Sequence, residues 1–210
     1  MTHSLHRCGK IQEKDFVWLL YHVKGVNDRN LVERLRQAIG IIEEVGSVNW
    51  GDVKSGPIVS VPVAEIKEKL TEKSRIRGAF TSREQVTKFL RKMKDADLGL
   101  CVIISGLLDE VFSACREAGV KPHTMNYSLG IFGNKKLLAD EDTLAITTMC
   151  GHHMIPDDFV AETRERVKDG KLSPEKASLE FAQLCPCGIF NQERARELLI
   201  LEQENPNPPR

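Results

Sequence analysis

The sequence predicts an α/β protein, with a partly parallel sheet of the β-α-β type followed by a small helical C-terminal module. Apolar runs with the composition of buried strands occur only before residue 140. Helices with a 3.6-residue apolar period alternate with these runs, and only helical patterns follow residue 140. The predicted parts are an α/β domain over 1–139, a helical Cys/His module over 140–203 and a flexible tail over 204–210.

The first elements follow from apolar runs and turn residues. The run 15–24 is apolar and rich in strand formers, so it predicts a buried strand. Asn30 is the predicted N-cap of a helix that ends at Gly46. Residues 47–56 read as a loop, and a short strand over 57–61 and a helix over 63–70 are expected after it.

The middle of the chain gives the clearest pattern. Residues 82–85 form a capping box in front of an amphipathic helix, and 98–105 is an apolar strand. Ser105 is the predicted cap of the next helix, which Gly119 ends. Residues 123–132 are predicted to be another strand.

Four helices are predicted in the C-terminal module. Asp140 caps the first, Pro156 opens the second, Ser173 precedes the third and Asn191 caps the fourth. Because helix hairpins return the chain to the same end, alternate junctions between these helices are expected to lie close together.

Composition narrows the function classes. The 210 residues include 30 Lys and Arg and 30 Asp and Glu, so the net charge is zero. A chain without net charge is not expected to bind nucleic acid or an anionic membrane through general electrostatic attraction. The longest apolar run, 98–104, is too short to span a bilayer, and no signal peptide is expected at the start. A cytoplasmic protein with reduced thiols is therefore expected. The neutral surface and the number of apolar residues are compatible with a homodimer.

Cysteine and histidine cluster at two of the predicted junctions. Cys150, His152 and His153 lie between the first two helices of the module, and Cys185 and Cys187 lie between the last two. Three thiols and two imidazoles could converge there. The sequence predicts a metal centre with three thiolates and with either histidine as the fourth ligand.

The expected cofactor is an iron–sulfur cluster of the 4Fe-4S type. Backbone N–H groups of Gly188, Ile189 and Phe190 can point at sulfur in front of a helix N-terminus, which is typical around such clusters. One weakly held iron would suit electron transfer to a redox partner protein, or Lewis-acid activation of a small-molecule substrate. The alternative is a structural zinc site with three cysteines and one histidine, on a binding or scaffold protein.

The remaining candidates are weaker. His3, His6 and Cys8 could add a ligand, whereas Cys101 and Cys115 are expected to be inert and buried. Ser105 and Gly106 join a strand to a helix N-terminus, where cofactors and anions bind. His123, at the start of another predicted strand, is a further candidate for cofactor binding. A metal-free α/β enzyme with its site near Ser105 and Gly106 is the third hypothesis.

The two cysteine segments also carry a resemblance. TMCGHHM followed by LCPCGIFNQERARELL is similar to an uncharacterised protein family of anaerobic bacteria and archaea, and HTMNYSLGIFG extends the similarity. The resemblance implies an anaerobic, oxygen-sensitive setting, which suits an iron–sulfur cluster. It implies no catalytic residue beyond the cysteines and histidines already named.

Overall fold

The computed structural model describes residues 5–204, and its five strands form one sheet in which every neighbouring pair is antiparallel. The sheet order is β3-β2-β4-β1-β5. In chain order the strands are β1 (Phe16–Tyr21), β2 (Asn49–Asp52), β3 (Gly56–Pro57), β4 (Ile76–Phe80) and β5 (Cys101–Ser105). The predicted partly parallel sheet is therefore wrong.

Eight α-helices accompany the sheet within these residues. They are α1 (Leu31–Val45), α2 (Val63–Glu68), α3 (Arg83–Ala96), α4 (Leu108–Ala118), α5 (Glu141–Thr147), α6 (Asp157–Lys168), α7 (Pro174–Gln183) and α8 (Gln192–Glu204). None of the helices in the described part of the chain has both the length and the apolar character to cross a membrane.

The connectivity explains why the predicted topology failed. Helix α1 joins β1 to β2 and helix α3 joins β4 to β5, and each joined pair runs in the same direction. One antiparallel strand lies between the members of each pair, β4 in the first and β1 in the second. This is the split β-α-β arrangement. The alternation of strands and helices indicates strand direction, but it does not indicate which strands are neighbours.

Both faces of the sheet are covered at β1. Phe16, Trp18 and Leu20 pack into a cluster with α1, α3 and α4. Val17, on the opposite face, packs with apolar residues of the helical module. An antiparallel strand buried on both faces has the same unbroken apolar run as a parallel strand, so the run alone could not separate the two.

The helical module follows its predicted caps. Asp140 accepts hydrogen bonds from the N–H groups of Asp142 and Thr143, and Ser173 accepts one from Lys176. The Oδ1 atom of Asn191 accepts one from the N–H of Arg194 at 3.0 Å. The boundary predicted between residues 139 and 140 falls just before α5 and stays a prediction. Most of the predicted tail, residues 205–210, lies outside the described residues.

Several local predictions are wrong. The predicted loop 47–56 contains β2, and the strand predicted over 57–61 is limited to β3, Gly56–Pro57. Residues 120–134 contain neither helix nor strand, so the strand predicted over 123–132 does not form, and Leu129 and Phe132 are exposed. Asn30 adopts a left-handed conformation and makes no side-chain capping bond. Ser105 is not a cap either, because α4 begins three residues later, after Leu107.

Candidate metal centre

The two cysteine-bearing turns meet against the face of the sheet that carries Val17. Cys150 follows α5, whereas Cys185 and Cys187 lie between α7 and α8, and all three side chains are buried. The sulfurs of Cys185 and Cys187 are 3.9 Å apart, and the Nδ1 atom of His152 is 3.6 Å from the Cys187 sulfur. The thiols of Cys150 and Cys185 are near enough for each to influence the pKa of the other. Four of the five predicted ligands therefore form one cluster.

The structure also distinguishes the two histidines. Helix α5 ends at Thr147, so it does not continue through Gly151 and does not place Cys150 and His153 on one helical face. A turn follows in which the N–H of His153 donates to the carbonyl of Cys150 at 3.0 Å. His153 has a left-handed backbone, with φ 54°, and an exposed side chain. The imidazole that approaches the sulfurs belongs to His152.

Backbone N–H groups point at each of the three sulfurs. The N–H of Ile189 bonds to Cys187, and that of Phe190 bonds to Cys185. The N–H groups of His152 and Met154 bond to Cys150. Such donors stabilise a thiolate over a thiol, and they are characteristic of cysteine ligands in metal centres. The sequence predicted this role for Gly188, Ile189 and Phe190, but the N–H of Gly188 donates to the carbonyl of Cys185.

The three thiols of the cluster differ in pKa. The hydrogen bond from Cys185, with help from the Ile189 N–H and the Arg77 charge, lowers the pKa of Cys187 to about 7 despite its burial. The pKa of Cys185 rises to about 11, because its bond to Cys187 and its burial outweigh the bond from Cys150. The bond to Cys185 and burial also raise the pKa of Cys150. Negative charge therefore collects first on Cys187.

The Cys185–Cys187 turn rests directly on the sheet. A Cβ atom on Gly188 would collide with the backbone of Trp50 and Gly51 in β2, so only glycine permits this approach. Gly51 pairs with Arg77 of β4. The turn is therefore held against the strands next to Arg77, which explains the influence of that charge on Cys187.

Arg7 ties the two cysteine turns together. Its Nη2 atom donates to the carbonyl of Met149 at 2.8 Å and also to the carbonyl of Ile189. Its Nη1 atom forms an ion pair with Asp15, at the start of β1. One guanidinium thus holds the residue before Cys150 and the residue two after Cys187. Sequence reasoning missed Arg7, since no feature of its polar N-terminal segment distinguishes it.

A second buried arginine completes this network. Arg194 of α8 is fully buried, pairs with Asp15 at 2.8 Å and donates to the carbonyls of Cys8 and Lys10. Asn191 also donates to Asp15, at 3.0 Å. Burial alone would raise the pKa of Asp15, but Arg7 and Arg194 hold it below its usual range. The sequence held one signal for the burial of Arg194. This arginine lies four residues before Leu198, on the apolar face of α8.

The other predicted ligands lie elsewhere. The sulfur of Cys8 contacts the hydroxyl of Thr148 at 3.7 Å, and His6 is exposed. His3 lies outside the described residues. Cys115 is buried as expected, but Cys101 is exposed on the edge strand β5. Across residues 5–204, no group of three or more His, Cys, Asp or Glu side chains is already arranged to hold a metal ion.

The second predicted site adjoins a cavity of about 250 Å³ at the end of β5. Ser105 and Gly106 line it, together with Arg7, Asp15 and Tyr127. Gly106 has a packing role as well, because a Cβ atom there would lie 2.8 Å from the Phe16 ring. The exposed His123 is not part of the lining. The structure therefore separates His123 from Ser105 and Gly106.

Comparison of the chain with known protein families, with curated proteins and with solved structures finds no match. The chemistry of the centre is accordingly inferred from its own residues.

Proposed function

We propose that this chain is a metal-binding protein in which one zinc ion joins the two cysteine turns through Cys150, Cys185, Cys187 and His152. The distances within the cluster carry the proposal. With zinc–sulfur bonds of about 2.3 Å and zinc–nitrogen bonds of about 2.0–2.1 Å, a tetrahedral site separates two sulfurs by about 3.8 Å and sulfur from nitrogen by about 3.6 Å. The observed separations are 3.9 Å and 3.6 Å.

The donor set supports the same ion. Three thiolates and one imidazole are a common structural zinc set. The N–H donors on all three sulfurs favour the deprotonated form that a metal requires. Completing the tetrahedron requires the Cys150 side chain to approach the other three ligands, because no group of three or more ligands in residues 5–204 is already arranged around a metal position.

A 4Fe-4S cluster is the less favoured occupant. In such a cluster each thiolate binds a different iron, so the sulfurs of two ligands lie farther apart than two ligands of one ion. The short distance between Cys185 and Cys187 therefore supports a single ion. The resemblance to an anaerobic family keeps the cluster as the competing outcome of the experiment.

The proposed role of the ion is structural. Four protein ligands leave no position for a substrate, and such closed sites stabilise a fold. Arg7 already links the two cysteine turns through hydrogen bonds to Met149 and Ile189, and zinc would link the same turns a second time. The chain would then be a binding protein whose helical module is fixed against the sheet.

The test is reconstitution with Co²⁺, which reports the geometry and ligands of a zinc site through its absorption spectrum. The metal-free protein should take up one equivalent of Co²⁺ and show sulfur-to-metal charge-transfer bands and strong visible bands typical of a tetrahedral site. Cys187→Ser should weaken these bands and the affinity for the metal. His152→Gln should shift the visible bands, and it is expected to fold because His152 is exposed.

Cys101→Ser is the matched control, since it removes an exposed thiol outside the cluster. It should leave the spectrum and the stoichiometry unchanged. Absence of tetrahedral bands in the fully reduced wild-type protein, or equal effects of Cys101→Ser and Cys187→Ser, would overturn the proposal.

A further inference from the structure

The sheet face beneath the module is only partly covered. Strand pairing and side-chain alternation place its residues in three rows across the strands. The rows are Asn49, Ala79, Val17 and Ser105; then Gly51, Arg77, Leu19 and Ile103; then Arg75, Tyr21 and Cys101. The first row is largely buried, whereas the last ends at the exposed Cys101. From Arg77 to Cys101 the face is only partly covered, with Leu19 buried and the other side chains half-buried up to the exposed Cys101, and this part is named the open half.

Two arginines occupy the open half. Arg75 and Arg77 are two residues apart along β4 and its approach, so their side chains leave the same face. The guanidinium of Arg75 lies over the Tyr21 ring, 4.7 Å from its centroid. Stacking on an aromatic ring holds the guanidinium plane and leaves its N–H edge available.

Both arginines keep a buried donor without an acceptor. The Nη1 atom of Arg75 and the Nε atom of Arg77 are buried and have no hydrogen-bond partner among residues 5–204. Neither guanidinium forms an ion pair with a carboxylate in that part of the chain. A buried charged donor without an acceptor is unfavourable unless a ligand supplies one.

The other arginines with an unpaired Nε atom differ in this respect. Arg7 and Arg34 donate to backbone carbonyls through their remaining nitrogens, and Arg83 lies 3.5 Å from the carboxylate of Glu110. Their guanidinium charges are therefore partly satisfied within the protein. Arg75 and Arg77 have no such oxygen acceptor among residues 5–204, although the charge of Arg77 also acts on the Cys187 thiol.

We propose that Arg75 and Arg77 bind the oxyanion group of a small molecule, a carboxylate or a phosphate, on the open half of the sheet. The planar guanidinium fork suits the paired oxygens of such groups. Only two arginines converge there and the chain has no net charge, which fits a small ligand better than a polyanion. The site adjoins the cysteine cluster, but it is built on β4 and does not require the metal.

The test is titration of the purified protein with inorganic phosphate, and separately with acetate, followed by amide and arginine Nε–H NMR signals. Ionic strength is kept constant with chloride. We expect saturable shifts at the Arg77 Nε–H and at the amides of residues 75–77 and 19–21. Saturation by either probe supports the proposal and identifies the oxyanion class. The absence of saturable shifts with both probes overturns it.

Substitutions locate the bound anion. Arg77→Gln and Arg75→Gln should each weaken binding of the active probe by about tenfold or more, as expected for a charge-assisted bond. Arg77→Lys should retain part of the affinity. Arg91→Gln, on the exposed surface of α3, is the matched control and should leave the affinity unchanged. Unchanged affinity in the Arg75→Gln, Arg77→Gln double variant would overturn the proposal.

Removal of the metal separates this inference from the proposed function. Phosphate or acetate binding that persists after chelation supports the arginine site, whether or not the chain carried zinc. Binding that disappears with the metal would assign the oxyanion to the ion and overturn the arginine site.

Discussion

At the scale of single residues, the ionic network around Asp15 supports the whole centre. Its carboxylate pairs with Arg7, which holds both cysteine turns, and with Arg194, which anchors α8. All three charged side chains are almost completely buried. Buried charges are tolerated only when each is paired, so removal of one partner is expected to be far more damaging than loss of a surface pair.

Asp15→Asn should lower the free energy of unfolding by about 3–5 kcal/mol, because two buried guanidinium groups would lose their counter-ion. Glu43→Gln breaks the partly exposed pair with Lys67 and should change it by less than about 1 kcal/mol. Urea denaturation of both variants at neutral pH measures the difference. Equal effects of the two substitutions would mean that the buried network contributes no special stability.

The same carboxylate should give a defined pH dependence. The folded protein holds the pKa of Asp15 below the unfolded value of about 3.9, so its stabilisation is fully present above that pH. It is lost as the pH falls through the lower pKa of the folded state. The stability gap between wild type and Asp15→Asn should be constant from pH 7 to about pH 4 and shrink below that. A gap that already narrows near pH 6 would contradict this assignment.

At the scale of secondary-structure elements, contact between the Cys185–Cys187 turn and β2 fixes the module to the sheet. Gly188 combines a positive φ of 77° with direct contact to the β2 backbone. Gly170 provides a matched comparison, with a φ of 71° and no neighbouring atom within 4 Å of an added Cβ. The two glycines differ mainly in their surroundings.

Gly170→Ala should destabilise the protein by about 1–2 kcal/mol through the left-handed backbone alone. Gly188→Ala should destabilise it by about 1–3 kcal/mol more, because the turn must move away from β2. It should also weaken metal binding, which Gly170→Ala should not affect. Thermal unfolding and metal titration of both variants measure these effects. Identical results for the two would show that the turn does not need its close approach to the sheet.

The sequence predicted helices better than strands. The capped helices of the module begin where Asp140, Ser173 and Asn191 predict. Strand β2 was missed because Asn49–Asp52 contains asparagine, glycine and aspartate, which are poor strand formers in isolation. Its place in the sheet depends on pairing with β4. Conversely, the segment 123–132 has strand-forming residues but no pairing partner within the described chain.

At the scale of the whole molecule, the site was also hard to predict wherever it depends on contacts between distant segments. Local motifs identified Cys150, Cys185 and Cys187, because the helix order brings their junctions together. Local motifs did not identify Arg7, Arg77 or the sheet face, since these join the cluster through contacts more than 100 residues away in sequence. The choice of His152 over His153 depended on where α5 ends, which sequence alone does not determine to one residue.

If the proposed ion joins the two cysteine turns, its removal should loosen the helical module and leave the rest of the molecule intact. Chelation under reducing conditions should speed amide hydrogen exchange in residues 149–154 and 185–190, because the ion no longer joins these turns. Exchange in α1 and α3 should not change, since both helices pack on the opposite face of the sheet. Uniform acceleration across the chain would mean that the metal controls global unfolding and not the module alone.

The central claim is that the cysteine turns share one metal ion, and elemental analysis tests it most directly. Protein purified anaerobically without added metal should be colourless and contain one equivalent of zinc, with neither iron nor acid-labile sulfide. A brown protein with iron and sulfide would contradict the single-ion site and assign an iron–sulfur cluster to the same cysteines. A fully reduced protein without any metal would contradict both, leaving Cys187 as a thiol whose pKa is lowered to about 7.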